Sequence, residues 1–498
     1  MITENQELPV AEMMAQQTNE SFLNRPIREL SMLSGAVLDR YRCPEEFLDF
    51  RVSRELSADA KYFRFGPTTL LYGRTSKEFG KERIDSVTPD ATTRVTIDGT
   101  QVVLPFDPDQ VIDNLRLERY PDGQLSTFER VLKEFYYCLR PLTTRSLRGQ
   151  VQRFWARSGR DMRFPRWPVD TSVENLSEDL LLLSLQAKRA ERVPFVWFWP
   201  AGARGCVSMT HDVETAAGRD FCGNLLDLDD SFGIKASFQI VPEGRYTVTP
   251  EFLSQIRNRG FEIAVQDLNH DGRLFDNRTE FRRRVAHINR YGREFSARGF
   301  RSAVLYRNPE WYHDLEFSFD MSMPNVARLD PQRGGCCTVM PYFIGNILEL
   351  PVTTVQDYTL FQVLNLHSID LWKTQLEMIL AKNGMATFIV HPDYITEPET
   401  RSVYEDLLTW LAELRGRENL WFALPGEIDS WWRARSQMSV ISDGKSWRVV
   451  GEGSERAVLA FAKAADGRLI HELNDSENLS HACSRNVLAP DAYADSGY

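Results

Sequence analysis

Apolar residues recur along this chain with two different periods. In TTRVTIDGTQVVLPF (92–106) they alternate with polar ones, as in a strand with one buried face, and Asp98-Gly99 is a two-residue turn signal, so a hairpin is predicted. Ser126-Thr127-Phe128-Glu129 has the spacing of a capping box and opens a predicted helix carrying Val131, Phe135 and Leu139. Asn175–Arg189 is apolar at helical spacing, which predicts a second helix. From about residue 200 the pattern changes. CVSMT (206–210) and FEIAV (261–265) read as short buried strands, and Phe281, Val285, Ile288 and Tyr291 mark a helix. A strand begins near Phe300, ILELPV (347–352) and MATFIV (385–390) follow, and Leu371–Leu380 and Tyr404–Leu414 are helical. WFAL (421–424) and a helix through Trp431 complete the run.

Strands alternating with helices predict parallel strands, in an α/β layer or barrel. After about residue 436, KSWRVV, AVLAFA and RLIHEL are split by Gly-rich turns and predict a small β appendage. The expected division is a disordered tail over 1–20, an N-terminal α+β region over 21–195, a distorted (β/α) barrel over 196–435, a β unit over 436–476 and a tail over 477–498.

Composition narrows the class. The chain has 498 residues, 42% hydrophobic and 26% charged, with a net charge of -11, which argues against a nucleic-acid binder that relies on a basic field. The seven cysteines form no CxxC, so neither a disulfide framework nor a zinc ribbon is predicted. The first twenty residues lack a basic start followed by an apolar run, and no stretch approaches the roughly 18 apolar residues of a spanning helix. A cytoplasmic location is the resulting expectation. No P-loop, GxSxG or GxGxxG occurs.

The ends of the predicted strands carry the chemistry. CVSMT runs into His211-Asp212-Val213-Glu214, FEIAV into Gln266-Asp267-Leu268-Asn269-His270-Asp271, and MATFIV into His391-Pro392-Asp393. Arg301 opens the third strand region, and ELPVTTVQ leads to Asp357. In α/β barrels the loops after the strands hold the active site. Asp212 and Glu214 are two apart in an extended segment, so they share a face at about 7 Å, while Val213 points into the core. A single strand-end carboxylate caps a helix often enough. Five strands ending in groups suited to metal or acid–base work need five such coincidences.

In this order the residues resemble the polysaccharide deacetylase family, also called the NodB-homology domain, over about 200–435. Thr210-His211-Asp212-Val213-Glu214 is similar to its first motif, Gln266 to His270 to its His-x-x-x-His, and Gly299-Phe300-Arg301 to its third, with Ala303 where the family has proline. Asp357 and Ile389-Val390-His391 match the fourth and fifth. The resemblance implies metal-dependent removal of an N-acetyl group from an amino sugar in a surface-polysaccharide pathway. Asp212 is then the general base and His391 the general acid, Arg301 holds Asp212, and Asp357 orients His391. Glu214, His270 and the residue at 266 hold a divalent ion, zinc by expectation.

Two of the expected metal positions depart from the family. Gln266 stands where a metal histidine is expected, and Glu214 is one carbon longer than the family aspartate. A glutamine amide is a poor replacement for imidazole on zinc. The expectation is a weakened or altered metal site, with Asp267 or Asp271 as flanking substitutes. A carbohydrate-binding or scaffold protein on the same barrel is the rival from another class, and hydrolysis of a small non-sugar amide or imide is the rival enzyme.

Residues 139–167 hold eight arginines and one acid, interleaved with Phe154, Trp155, Phe164 and Trp167. A solvated, ion-paired face explains such a segment, and contact with an anionic membrane surface is the sharper alternative. His313 and Trp311 are candidates for a sugar cleft or for core packing. Gly334-Gly335-Cys336-Cys337 reads as buried thiols beside a glycine turn.

Overall fold

The structure, a computed structural model, describes residues 29–53, 55–77, 79, 88–121 and 164–474. The expected tails, the capping box at 126–129 and all of the basic segment except 164–167 lie outside the described residues.

Among the described residues six short strands come first: β1 (Glu29–Leu33), β2 (Asp49–Ser53), β3 (Lys61–Phe65), β4 (Thr69–Gly73), β5 (Thr96–Asp98) and β6 (Gln101–Leu104). They form a sheet in the order β1-β2-β6-β5 and a separate β3–β4 hairpin. The expected hairpin is β5–β6, closed by Asp98 opposite Gln101, with Gly99 at φ +62. Helix Ser172–Lys188 matches the predicted helical segment. Leu176, Leu180 and Leu183 on it join the same apolar cluster as Phe50, Leu104 and Phe106.

Strand β7 (Arg192–Val196) then leads into the larger unit. Its parallel strands are β8 (Gly205–Val213), β9 (Ala236–Ile240), β10 (Glu262–Gln266), β11 (Gly299–Arg301), β12 (Phe319–Asp320), β14 (Ile347–Glu349), β15 (Met385–Val390) and β16 (Leu420–Phe422); β13 (Tyr342–Ile344) is antiparallel to β14. The order is β13-β14-β12-β11-β10-β9-β8-β15, with β16 beside the start of β8. Helices Ala216–Ser231, Pro250–Arg257, Arg278–Glu294, Asp370–Leu380 and Pro398–Arg417 connect the strands. Each of the first three is started by a side-chain cap, from Thr215, Thr249 and Asn277.

This is a distorted (β/α) barrel whose ladder does not close. Between β14 and β15 the seam is made by hydroxyls instead: Thr353 Oγ1 donates to the Met385 carbonyl, Thr354 Oγ1 to that of Thr387, and Thr387 Oγ1 to that of Pro351. The seam delivers the chain after β14 to the end of β15. In the barrel the sequence pattern did not single out strand β9 or the helices Ala216–Ser231 and Pro250–Arg257, and before the barrel it did not single out β1–β4. ASFQI in β9 alternates apolar with polar residues, a strand period confined to five positions, and is buried throughout.

Alternation along β8 sets the chemistry of the two faces. Val207, Met209 and Val213 pack outward with the helices. Cys206, at the start of the opposite row, belongs to the apolar cluster shared with the N-terminal sheet, and Asp212 ends that row among buried polar groups. The interior is therefore apolar where the strands begin and polar where they end.

The last strands are β17 (Ser439–Ser442), β18 (Trp447–Val450), β19 (Leu459–Ala465) and β20 (Arg468–Leu473). Strand β19 pairs with β20 on one side and with β7 on the other. The C-terminal segment thereby shares a sheet with residues that precede the barrel. Among the described residues, no helix is long and apolar enough to cross a membrane.

Candidate active site

The seven residues singled out from the sequence meet at the C-terminal ends of β8, β10, β11 and β15 and on the segment after β14. Asp212, at the end of β8, receives Arg301 Nη1 on Oδ1 at 2.5 Å and Gln266 Nε2 on Oδ2 at 3.1 Å. Arg301 is fully buried, and it also donates to Thr210 Oγ1 and to the Met321 carbonyl. Its fork therefore fixes both its own plane and one carboxylate oxygen.

His391, the residue after β15, is held from the other side. Asp357 Oδ2 accepts the His391 backbone N–H at 2.7 Å, and Asp357 Oδ1 lies 2.6 Å from Nδ1. Burial opposes the imidazolium charge, but the Asp357 and Glu214 carboxylates outweigh it and hold the His391 pKa well above its ordinary value. The two carboxylates thus favour the imidazolium, and Nε2 faces Glu214 Oε1 at 3.4 Å.

Glu214 lies between the two. Its Oε1 also receives Gln266 Nε2 at 3.1 Å and stands 2.6 Å from His270 Nε2. Burial would raise its pKa, yet His270 and His391 pull it well below the usual carboxylate range. The flanking loops are pinned: Tyr246 OH donates to the Val213 carbonyl, and Arg245 grips the carbonyls of Asn269 and His270. His270 and Asp267 hold positive φ, +56 and +51, in the left-handed region that costs a residue with a Cβ. Tyr394 packs its ring 4.9 Å from that of His391. Tyr246 and Arg245 follow β9, so the sequence reading that passed over that strand passed over them too. Tyr394 lies three residues beyond His391 and was within reach of it.

Other candidates fall elsewhere. Asp271 is taken by Arg284 through two charge-assisted bonds of 2.7 and 2.8 Å. Asp267 accepts the N–H of Leu268. His211 points outward, its Nε2 2.8 Å from buried Asp229. Trp311 packs on Phe275 and Phe281, and His313 is exposed beside Arg278. Cys336 and Cys337 are buried free thiols.

Asp212, Glu214 and His391 each offer one ligand atom, all within 4.8 Å of one another, a spacing that can hold a cation. A zinc ion on Glu214, His270 and residue 266 requires three lone pairs aimed at one point. Here Gln266 turns its amide hydrogens to both carboxylates and Glu214 Oε1 stands 2.6 Å from His270 Nε2, although Gln266 Oε1 and His270 Nε2 are themselves buried without a hydrogen-bond partner. The donor set does not fit zinc in that arrangement.

No family model and no curated protein matches the chain. Among solved structures it is similar to a putative polysaccharide deacetylase from Mycobacterium smegmatis, at 18% identity over 50% of this chain and 98% of that one, with a TM-score of 0.41. It is also similar to Puue allantoinase, at 15% identity over 47% and 92% of the two chains, TM-score 0.37. A probable polysaccharide deacetylase from Pseudomonas aeruginosa PAO1 matches at 14% identity over 47% and 93%, TM-score 0.37.

Proposed function

We propose that this chain is a hydrolase of the polysaccharide deacetylase type, cleaving an N-acyl carbon–nitrogen bond with Asp212 as general base and His391 as general acid. One observation carries the reading. A carboxylate and an imidazolium are set either side of Glu214, and each is locked by its own buried counter-charge, Arg301 for Asp212 and Asp357 for His391. A carboxylate gripped by a buried arginine suits the base, and an imidazole whose charged form two carboxylates favour suits the acid.

In the reaction, Asp212 takes a proton from the attacking water as its oxygen bonds to the acyl carbon. His391 gives its Nε2 proton to the departing nitrogen as the carbon–nitrogen bond breaks, so the products are a carboxylic acid and an amine. Asp357 stabilises the imidazolium before that transfer and fixes its ring plane. An N-acetylated amino sugar or oligosaccharide is the substrate class the motif resemblance favours.

A small non-sugar amide or imide is the second reading, and the closure of the site favours it. The Asp212 and His391 side chains are 4% and 5% exposed and that of Glu214 18%, which admits a compact substrate more readily than a polymer. Release of acid from a panel of N-acetylated sugars, chito-oligosaccharides and small amides and imides, with an amine as co-product from the amides and an amide from the imides, tests both, with Asp212→Asn and His391→Gln as controls. Turnover abolished by either control supports the hydrolase. Sugar binding without turnover by the intact chain overturns it in favour of a binding protein on the same barrel.

A further inference from the structure

We infer that Glu214 and Gln266 together replace a metal ion in this site, so that the acid–base pair is held in place by hydrogen bonds alone. The inference rests on the reading of Asp212 and His391 as base and acid, but it concerns what positions them.

Two carboxylates, Asp212 and Glu214, end the same buried strand face and repel one another. Something cationic or donating must sit between them. The Gln266 side chain does so: its Nε2 is 3.1 Å from Asp212 Oδ2 and 3.1 Å from Glu214 Oε1, so each amide hydrogen meets one carboxylate. Gln266 is fully buried, so water cannot take over this task. A histidine here would present at most one N–H toward two acceptors. An imidazole lone pair would instead need a cation to reconcile it with both.

The extra methylene of Glu214 completes the substitution. It carries Oε1 forward to the point where three nitrogen atoms converge, Gln266 Nε2 at 3.1 Å, His270 Nε2 at 2.6 Å and His391 Nε2 at 3.4 Å. Glu214 is thereby paired with both imidazoles and hydrogen-bonded by Gln266, while Gln266 Oε1 and His270 Nε2 are buried with no hydrogen-bond partner of their own. A shorter aspartate would withdraw that oxygen and reopen the centre. The departures at 214 and 266 are one compensated change rather than two losses. Gln266 is a positioning residue: with Arg301 on Oδ1 and Gln266 on Oδ2, the plane of the Asp212 carboxylate is fixed.

The test compares the full chain with the double variant Glu214→Asp/Gln266→His, grown with zinc and dialysed. The expected result is a wild type with metal far below stoichiometric, whose melting temperature is unmoved by EDTA or added zinc. The double variant is expected to hold one zinc per chain and bind it about 10- to 100-fold tighter than wild type, the scale on which ligand-shell changes act. Should the double variant not fold, calorimetric titration of the wild type with zinc and cobalt decides alone: no saturable heat supports the inference, and one-to-one binding overturns it. Stoichiometric metal in the wild type with Asp212-dependent turnover overturns this inference and leaves the hydrolase standing. A metal-free wild type with no turnover on any substrate does the reverse.

Discussion

Asp357 holds His391 twice, accepting its backbone N–H at 2.7 Å and facing its Nδ1 at 2.6 Å. The ring is thus positioned through its own main chain as well as through its nitrogen. Asp357→Asn keeps an acceptor for the backbone N–H but removes the charge that stabilises the imidazolium. Turnover should fall by about 10²- to 10⁴-fold, the range of a positioned acid–base group, while the fold persists. The His391 pKa followed by NMR should drop, and an unchanged value would contradict this account.

Arg301 and Asp212 form a buried pair at 2.5 Å. Removing the cation leaves an uncompensated carboxylate, so Arg301→Met should cost about 3–5 kcal/mol in urea denaturation. Adding Asp212→Leu should recover a large part of that loss, because the pair is then replaced by apolar groups. Equal losses in the single and double variants would show that the arginine acts through packing alone.

Glu262, at the start of β10, is remote from the reaction but sets a pH dependence. Burial pushes its carboxyl up to about 7, against the Gly426 N–H and Arg298, which lower it. The folded state therefore binds this proton more tightly than the unfolded chain. Its contribution to stability is greatest below the unfolded value of 4.5, declines as pH rises toward 7 and is constant above. Glu262→Gln should stabilise the protein at pH 8 by about 2 kcal/mol and leave it unchanged at pH 4, by thermal melts at both pH values.

His211, one residue before the proposed base, serves the opposite face of β8. Its Nε2 lies 2.8 Å from Asp229 Oδ2, its Nδ1 3.1 Å from the Val390 carbonyl, and Tyr404 OH donates to Asp229 Oδ1 at 2.6 Å. All three residues are fully buried. Asp229→Asn should cost about 2–4 kcal/mol by breaking this network, with turnover per folded molecule preserved. A selective loss of turnover would place His211 in the chemistry.

Strand β19 completes a sheet with β7, and His471 on β20 packs its ring against Tyr41 and Phe195. A chain ending at Gln437 exposes the β7 edge and removes Leu459, Ala460 and Ala462 from the core. It should express as aggregated or partly folded protein, and a soluble, cooperatively melting product would show that the C-terminal strands are dispensable.

Much of the barrel was legible because its strands are short apolar runs bounded by polar residues, and each run ends in a residue that cannot be there for packing alone. Asp212, Gln266, Arg301 and His391 stood out for that reason. Strand β9 did not, since Ser237 and Gln239 leave it without the continuous apolar run of its neighbours and its alternation spans only five residues. Tyr246 and Arg245, which brace the site loops, were lost with it. The partner of β7 was also hidden, because β19 follows it by more than two hundred and fifty residues and local periodicity carries no information about pairing.

What the sequence by itself determined was the set of chemical groups and their order on alternating elements, since strand and helix periods follow from local side-chain placement. What only the tertiary structure decided was which atom of each group faces which. Gln266 could offer an oxygen to a metal or hydrogens to carboxylates, and the choice depends on Asp212 and Glu214 arriving together at 3.1 Å from its nitrogen. The hydroxyl seam at Thr353, Thr354 and Thr387 likewise brings Asp357 to His391 across 34 residues. Distances of this kind are set by packing and barrel curvature, which act over the whole fold and leave no local pattern in the chain.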